Sequence, residues 1–489
     1  MFNNSLTPDV SPAIRFARNL FYMFGLDTTL TALLIFCLFA ACIFEFINGF
    51  HDTANAVATV IYTNSLKPWV AVVWSGIWNA IGVFAGGIAV AMGISNLLPV
   101  EILTDTNIHH SIALILSLLL TAIVWNLGTW YLGIPCSSSH TLIGSILGVG
   151  LAFSFVAENN TVTYVNWSKA YEIGASLVLS PILGFSLAIF VMYMLRQFVK
   201  KKTIFKEPDT TMPPPFWIRF ILLITCTGVS FSHGSNDGQK GVGLIMLILI
   251  AIVPARFALD NSKDASNYKE NIIETQYLMN KVNVAQLNKS DSFEFVTTKI
   301  LISDLQKKVT GVSNFTDLTD AQKYDIRKNI ILINKSSKKV AESQDLNLSN
   351  EDKAQFKTKI STLKSLTDYA PNWVIVMISI SLGLGTMIGW KRIVKTIGEK
   401  IGKQHLTYAQ GASSELVAAT TISLSTWLGL PVSTTQVLSS GIAGSMVASK
   451  GVKNLQPATI KSIAIAWALT LPVSIIMSGG LFLLFRWLV

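Results

Sequence analysis

Charge is scarce in this sequence. Asp, Glu, Lys and Arg together make up 13% of its 489 residues, against roughly a quarter in an ordinary soluble domain, which excludes a large solvated surface. The four cysteines, Cys37, Cys42, Cys136 and Cys226, show no Cys-x-x-Cys or metal-ligand spacing, so neither disulfides, a metal centre nor a cofactor is expected. The first 25 residues hold Pro8, Asp9, Pro12, Arg15 and Arg18 with no cleavage pattern after an apolar core. They read as a mature terminus. The net charge of +10 comes without a basic patch interleaved with aromatics, so nucleic acid is not expected as a partner.

What is present is apolar sequence in long runs, with 51% hydrophobic residues and a mean hydropathy of +0.49. A spanning helix needs about 20 apolar residues. Twelve segments are candidates: 28–48, 52–66, 69–98, 111–133, 135–154, 170–199, 215–232, 236–255, 371–390, 408–428, 431–449 and 457–488. The expected class is an all-α, multi-pass integral membrane protein with lipid as its solvent. Loop 196–219 carries Arg196, Lys200, Lys201, Lys202, Lys206 and Arg219, and loop 391–405 carries Lys391, Arg392, Lys395, Lys400 and Lys403 against Glu399. Both are predicted to be cytoplasmic. An even number of crossings must then separate them, so one of the three apolar segments between them is predicted not to span. Loop 99–110, with Glu101 and Asp105 and no Lys or Arg, is predicted to face outward.

Residues 256–370 differ in kind, with 18 Lys and Arg and 15 Asp and Glu. Leu and Ile at helical spacing, and caps at Ser290 or Thr319, predict a soluble helical insertion. The chain divides accordingly: an N-terminal segment 1–27, a first membrane repeat 28–199, a basic linker 200–214, and a second membrane repeat in two parts, 215–255 and 371–489, around the insertion.

The division rests on internal repetition. Phe46-Ile-Asn-Gly-Phe-His-Asp-Thr-Ala-Asn-Ala-Val57 matches Phe231-Ser-His-Gly-Ser-Asn-Asp-Gly-Gln-Lys-Gly-Val242 at an offset of 185. Gly133-Ile-Pro-Cys-Ser-Ser-Ser-His140 matches Gly429-Leu-Pro-Val-Ser-Thr-Thr-Gln436 at 296. The two offsets differ by about the length of the insertion. The matched loops 99–110 and 391–405 have opposite charge character, so the repeats, of about six segments each, are predicted to be inverted, with broken or re-entrant helices.

Both motifs carry polar groups where apolar ones are expected. An intramembrane carboxylate usually faces a cavity, and Gly49 permits unwinding. On a helix restarting near His51, Asp52 and Asn55 share a face, and with Asn48 they suit Na⁺ or a carried proton. Asn236 and Asp237 are the second copy. Lys240 lies three residues after Asp237, either as a simple ion pair or as a counter-charge for an anion. Glu45 and Glu415 are further intramembrane acids, read as proton or cation sites, and His51 and His233 as relays or backbone partners. In the second motif pair, Pro precedes Ser137, Ser138 and Ser139 in one copy and Ser433, Thr434 and Thr435 in the other. A proline-led helix start offers free N–H groups, and the hydroxyls add donors for an oxyanion; one copy alone would be ordinary capping. Ser139-His140 lacks a nucleophile elbow or triad context, so no enzyme is expected.

These stretches, with Trp125-Asn-Leu-Gly-Thr-Trp130, resemble the Pit-type inorganic phosphate transporters, especially the bacterial low-affinity branch, through essentially the whole chain. The resemblance implies a secondary transporter importing phosphate with H⁺ or Na⁺, accepting also a neutral complex of phosphate with a divalent metal. It implies an inner-membrane location, and a homodimer is expected on the same footing. It assigns the paired acids to Asp52 and Asp237, the phosphate loops to Ser137–Ser139 and Ser433–Thr435, and a functional acid to Glu415. Gln436 departs from the family's usual His, which removes a proton role at that position. Without the resemblance, a sulfate transporter, an anion channel and a membrane phosphatase are the rival classes.

Overall fold

The computed structural model describes residues 26–98, 102, 108–156, 165–209, 212–343 and 348–488. Loop 99–110 and residues 1–25 fall largely or wholly outside the described residues, as does the side chain of Asn55. The described residues are helical, without a named strand. They form α1 (Thr28–Tyr62), α2 (Pro68–Ala85), α3 (Ala89–Ser95), α4 (Ile108–Tyr131), α5 (Ser138–Val156), α6 (Trp167–Phe198) and α7 (Phe216–Ile252). After these come α8 (Ala265–Asn280), α9 (Lys289–Val309), α10 (Asp320–Glu342) and α11 (Asn350–Lys364), then α12 (Asn372–Thr386), α13 (Lys391–Lys395), α14 (Tyr408–Trp427), α15 (Thr434–Lys450) and α16 (Pro457–Leu488).

Among the described residues, seven helices are long and apolar enough to cross a membrane, or eight if the bent pair Asn372–Thr386 and Lys391–Lys400 makes one span. Trp69, Phe190, Ile476 and Trp487 project outward from them, as residues bathed in lipid do. The chain is a multi-pass membrane protein.

Two expected interruptions are absent. Segments 28–48 and 52–66 are one 35-residue helix, and segments 215–232 and 236–255 one 37-residue helix. The helix does not restart at His51. Gly49 and Gly234 serve close approach rather than unwinding: a Cβ on Gly49 would stand 2.5 Å from the Leu382 carbonyl oxygen, and one on Gly234 would collide with that of Asn79. Among the described apolar helices, only α7 and α12 then lie between the two basic loops, the intervening α8–α11 belonging to the charged stretch.

The chain divides into two bodies, Cys37–Leu247 with Ala370–Val489, and Met1–Phe36 with Ile248–Tyr369. In the first, the packing exchanges when the two halves are exchanged. Helix α5 packs on α16 as α15 packs on α6; α4 on α16 as α14 on α6; α4 on α5 as α14 on α15; and α2 on α12. Single residues follow suit. Gly385 lies against the Phe46 carbonyl and Gly82 against that of Phe231, and these two phenylalanines are matched in the repeat. Trp467 on α16 donates to the Pro135 carbonyl at 3.1 Å, and Ser176 on α6 to the Pro431 carbonyl at 3.2 Å.

These backbone contacts leave no room for a methyl group. Gly385→Ala and Gly82→Ala are expected to cost about 1–3 kcal/mol by overpacking and to lower the melting temperature in detergent by several degrees. Gly174 on α6 has nothing within 4 Å of an added Cβ, so Gly174→Ala is expected to leave it unchanged or raise it. Equal thermal shifts in all three would contradict this packing.

In the second body, α8–α11 enclose a core that includes Ile272, Phe295, Ile302, Ile330, Phe356 and Ile360. Thr319 caps α10 in a capping box with Gln322. Ser290 does not cap α9: Asn288 does, its side chain accepting from Asp291 N–H, because the helix begins at Lys289 and Ser290 is already within its first turn. The buried Arg327 donates to the carbonyls of Ala258 at 3.0 Å and Thr367 at 3.1 Å, and so ties the two ends of the stretch together. Burial pulls this guanidinium below its ordinary pKa, and the charge of Asp368 pushes it back up.

Candidate functional site

The hydroxyl runs stand where two helices begin. Gly133 and Gly429, with φ of 67° and 70°, turn the chain out of α4 and α14; that left-handed backbone is easy only for glycine. Four residues follow, and α5 and α15 start at Ser138 and Thr434. Ser137 and Ser433 are the N-caps, accepting from the N–H groups of His140 and Gln436 at 3.2 Å each. Capping thus accounts for one hydroxyl in each run and leaves the others for a different purpose.

Three of those others converge on Asp52. Its Oδ2 accepts from Ser138 Oγ and Thr434 Oγ1 at 3.3 Å each, and its Oδ1 accepts from Thr435 Oγ1. One carboxylate from α1 therefore gathers donors from both hydroxyl loops. Ser139 donates instead to the Val432 carbonyl at 2.7 Å, a bond that joins the first loop to the second.

The second acidic motif builds the other wall. Lys240 Nζ lies 2.6 Å from Asp237 Oδ1 and donates to Ser139 Oγ and to the Val432 carbonyl, the latter at 3.1 Å. Asn236 holds the second loop in place: its Nδ2 donates to Thr426 Oγ1 at 2.9 Å and the Leu430 carbonyl at 3.1 Å, and its Oδ1 accepts from Val432 N–H at 3.2 Å. In the matched position of α1, His51 Nε2 lies 3.2 Å from Thr129 Oγ1. Each helix is thus pinned to a threonine that precedes a hydroxyl loop. Sequence reasoning passed over both threonines, although a Thr-Trp pair before each Gly-x-Pro turn was there to flag them.

His233 lies between the two acids. Asn79 Nδ2 donates to Thr386 Oγ1 at 2.9 Å, and that hydroxyl donates to the Leu382 carbonyl at 2.8 Å. Asn79 therefore presents its oxygen to His233 Nδ1, at 2.9 Å, and Nδ1 carries the proton. Nε2 is left facing Asp52 Oδ2 at 3.7 Å and Asp237 Oδ2 at 3.5 Å. A ring nitrogen held between two carboxylates makes this a space that suits a positive charge. Ligand atoms of Asp52, His233 and Asp237 all lie within 4.8 Å of one another, a grouping that spacing along the chain does not reveal. Asn79 and Thr386, single polar residues in apolar helices, were the overlooked signals of this relay.

Two predicted groups, Glu45 and Asn48, lie at its edge, and a third lies apart. Glu45 accepts from Asn48 Nδ2 at 3.2 Å, one turn before Asp52, and its side chain presses on Gly241, the residue after Lys240. Glu415 belongs to a separate place: it accepts from Thr225 Oγ1 at 2.5 Å, and its helix meets α1 where Gly411 rests on Thr59, about 10 Å along the helix from Asp52 at 1.5 Å per residue. All of these groups are buried.

The sequence has named relatives. Residues 48–478 match the model of the phosphate transporter family. The "Low-affinity inorganic phosphate transporter PitA" of Escherichia coli (strain K12) is 40% identical over 490 residues, covering 94% of this chain and 97% of that one. The "Low-affinity inorganic phosphate transporter" of Buchnera aphidicola subsp. Acyrthosiphon pisum (strain APS) is 40% identical over 94% of this chain and 98% of its own. A solved structure, "The sodium-dependent phosphate transporter", shares the fold with a TM-score of 0.54 at 19% identity, over 94% of this chain and 100% of that one. These relatives are named as transporters rather than enzymes, and the chain belongs to the phosphate transporter family.

Proposed function

We propose that the chain imports inorganic phosphate across the inner membrane by symport with H⁺ or Na⁺. The observation that carries this reading is the convergence of Ser138, Thr434 and Thr435 on Asp52. These hydroxyls are the natural donors to a tetrahedral oxyanion, together with the N–H groups at the starts of α5 and α15. A charged Asp52 competes with phosphate for them. A cation on Asp52 weakens its hold, and the hydroxyls turn to the anion. Each ligand thereby raises the affinity for the other, and the coupling is reciprocal.

The Asp52, His233 and Asp237 grouping supports the same logic for a divalent metal that arrives with phosphate as a neutral complex. The exchange of helix contacts between the halves, with the opposite charge of loops 99–110 and 391–405, supports inverted repeats and alternating access around the site.

Reconstitution into proteoliposomes tests the reading. Radiolabelled phosphate is expected to accumulate when an inward H⁺ or Na⁺ gradient is imposed, and unlabelled phosphate to compete better than sulfate. Uptake indifferent to both gradients would indicate a channel, and equal competition by sulfate a less selective oxyanion carrier. Either result would overturn the proposal.

A further inference from the structure

Lys240 and Asn55 occupy the same place in the two copies of the acidic motif, three residues after Asp237 and Asp52. One copy therefore carries an amide where the other carries a tethered amine. The Lys240 side chain is only 1% exposed, and a buried ammonium is tolerated when it is fully paired. An ammonium has three N–H donors. Three oxygens surround this one: the Asp237 carboxylate at 2.6 Å, the Ser139 hydroxyl, and the Val432 carbonyl at 3.1 Å. The ammonium is thus ion-paired to Asp237 and hydrogen-bonded to protein oxygens of both hydroxyl loops. Carboxylate, hydroxyl and carbonyl oxygens are also the donors a hard cation takes. Among the described residues, the contacts of Asp52 are two imidazoles and three hydroxyls, with no fixed cation.

We propose that the Lys240 ammonium stands in for a coupling cation at Asp237, so that Asp52 alone exchanges its cation during transport. The inference rests on the phosphate–cation symport argued above. A tethered charge cannot leave with the cargo, so Lys240 lowers by one the number of cations moved with each phosphate. Its other two acceptors, Ser139 and Val432, belong to the two hydroxyl loops, so the same ammonium that neutralises Asp237 also fastens the loops together.

The test uses the full chain in proteoliposomes. Radiolabelled phosphate flux is followed under set gradients, and the voltage of zero net flux reports the charge moved per phosphate. Lys240→Arg is expected to keep the parent's charge count. Lys240→Asn recreates the Asp-x-x-Asn spacing of the first half and is expected to move one more positive charge per phosphate. Its uptake should fall at least about tenfold at low Na⁺ or H⁺, a loss of about 1.4 kcal/mol, and recover at saturating cation. Joining Asp237→Asn to Lys240→Asn should recover at least about tenfold of the uptake that Asp237→Asn alone loses, because no charge is then left unpaired. An active Lys240→Asn chain with an unchanged charge count overturns the proposal. Silence of both Lys240→Asn and the double variant at saturating cation, in protein that still elutes as folded, does the same. So does a Lys240→Asn chain whose only defect is weaker phosphate affinity, which would assign the ammonium to the anion. Absence of phosphate uptake by the parent would refute the transport reading itself, and it is seen before any variant is compared.

Discussion

An Asp52→Asn chain is expected to reach the membrane folded and to take up phosphate at least about 100-fold more slowly than its parent. Asparagine keeps the shape of the side chain, its oxygen accepting from hydroxyls on one side and its Nδ2 donating to hydroxyl oxygen on the other, so Ser138, Thr434 and Thr435 retain a partner, and the hydroxyl loops should hold their positions. The negative charge that a coupling cation needs is gone. Removing one charge from a buried set costs about 3–5 kcal/mol, and every 1.4 kcal/mol is tenfold in an equilibrium constant. The residual uptake should no longer follow the cation gradient. Asp237→Asn should lose uptake just as deeply for a different reason, since it strands the Lys240 ammonium that now lies 2.6 Å from a carboxylate. Flux in proteoliposomes, with gel filtration to check folding, decides the matter. Uptake within threefold of the parent in either variant would remove that acid from the coupling machinery.

The parts of this site that the sequence disclosed are those whose signal is local. Proline followed by three hydroxyls is unusual at the head of an apolar run, so the starts of α5 and α15 could be read directly from residues 135–139 and 431–435. Intramembrane acids are rare enough that Asp52 and Asp237 stood out for the same reason. What local pattern could not supply is the use to which a residue is put by a distant partner. Gly49 reads equally well as a place to unwind or a place to pack, and the residue that decides is Leu382, more than 300 positions away. The helix therefore runs on through a motif that looked like a break. Likewise Val432, an apolar residue in the sequence, contributes through its carbonyl, which accepts from both Ser139 and Lys240. Backbone groups leave no trace in side-chain patterns. The Asn79–Thr386 relay behind His233 joins two solitary polar residues that only the fold brings together.

Thr435→Val is expected to act on the two substrates in opposite directions. The substitution keeps the volume of the side chain and removes the hydroxyl that donates to Asp52 Oδ1. If that hydroxyl passes to phosphate when a cation neutralises Asp52, its loss deprives the bound anion of a charge-assisted hydrogen bond. Such bonds contribute about 1.5–3 kcal/mol, so the phosphate KM should rise by about 10- to 100-fold. The free carboxylate, meanwhile, loses a donor that competes with the cation. At limiting phosphate, half-maximal uptake should therefore need less H⁺ or Na⁺ than in the parent. Thr434→Val should shift both quantities the same way by a smaller amount, its contact with Oδ2 being 3.3 Å. A general loss of packing would lower the maximal rate and leave these two requirements unmoved, or move both upward. Only a hydroxyl shared between carboxylate and anion drives them apart.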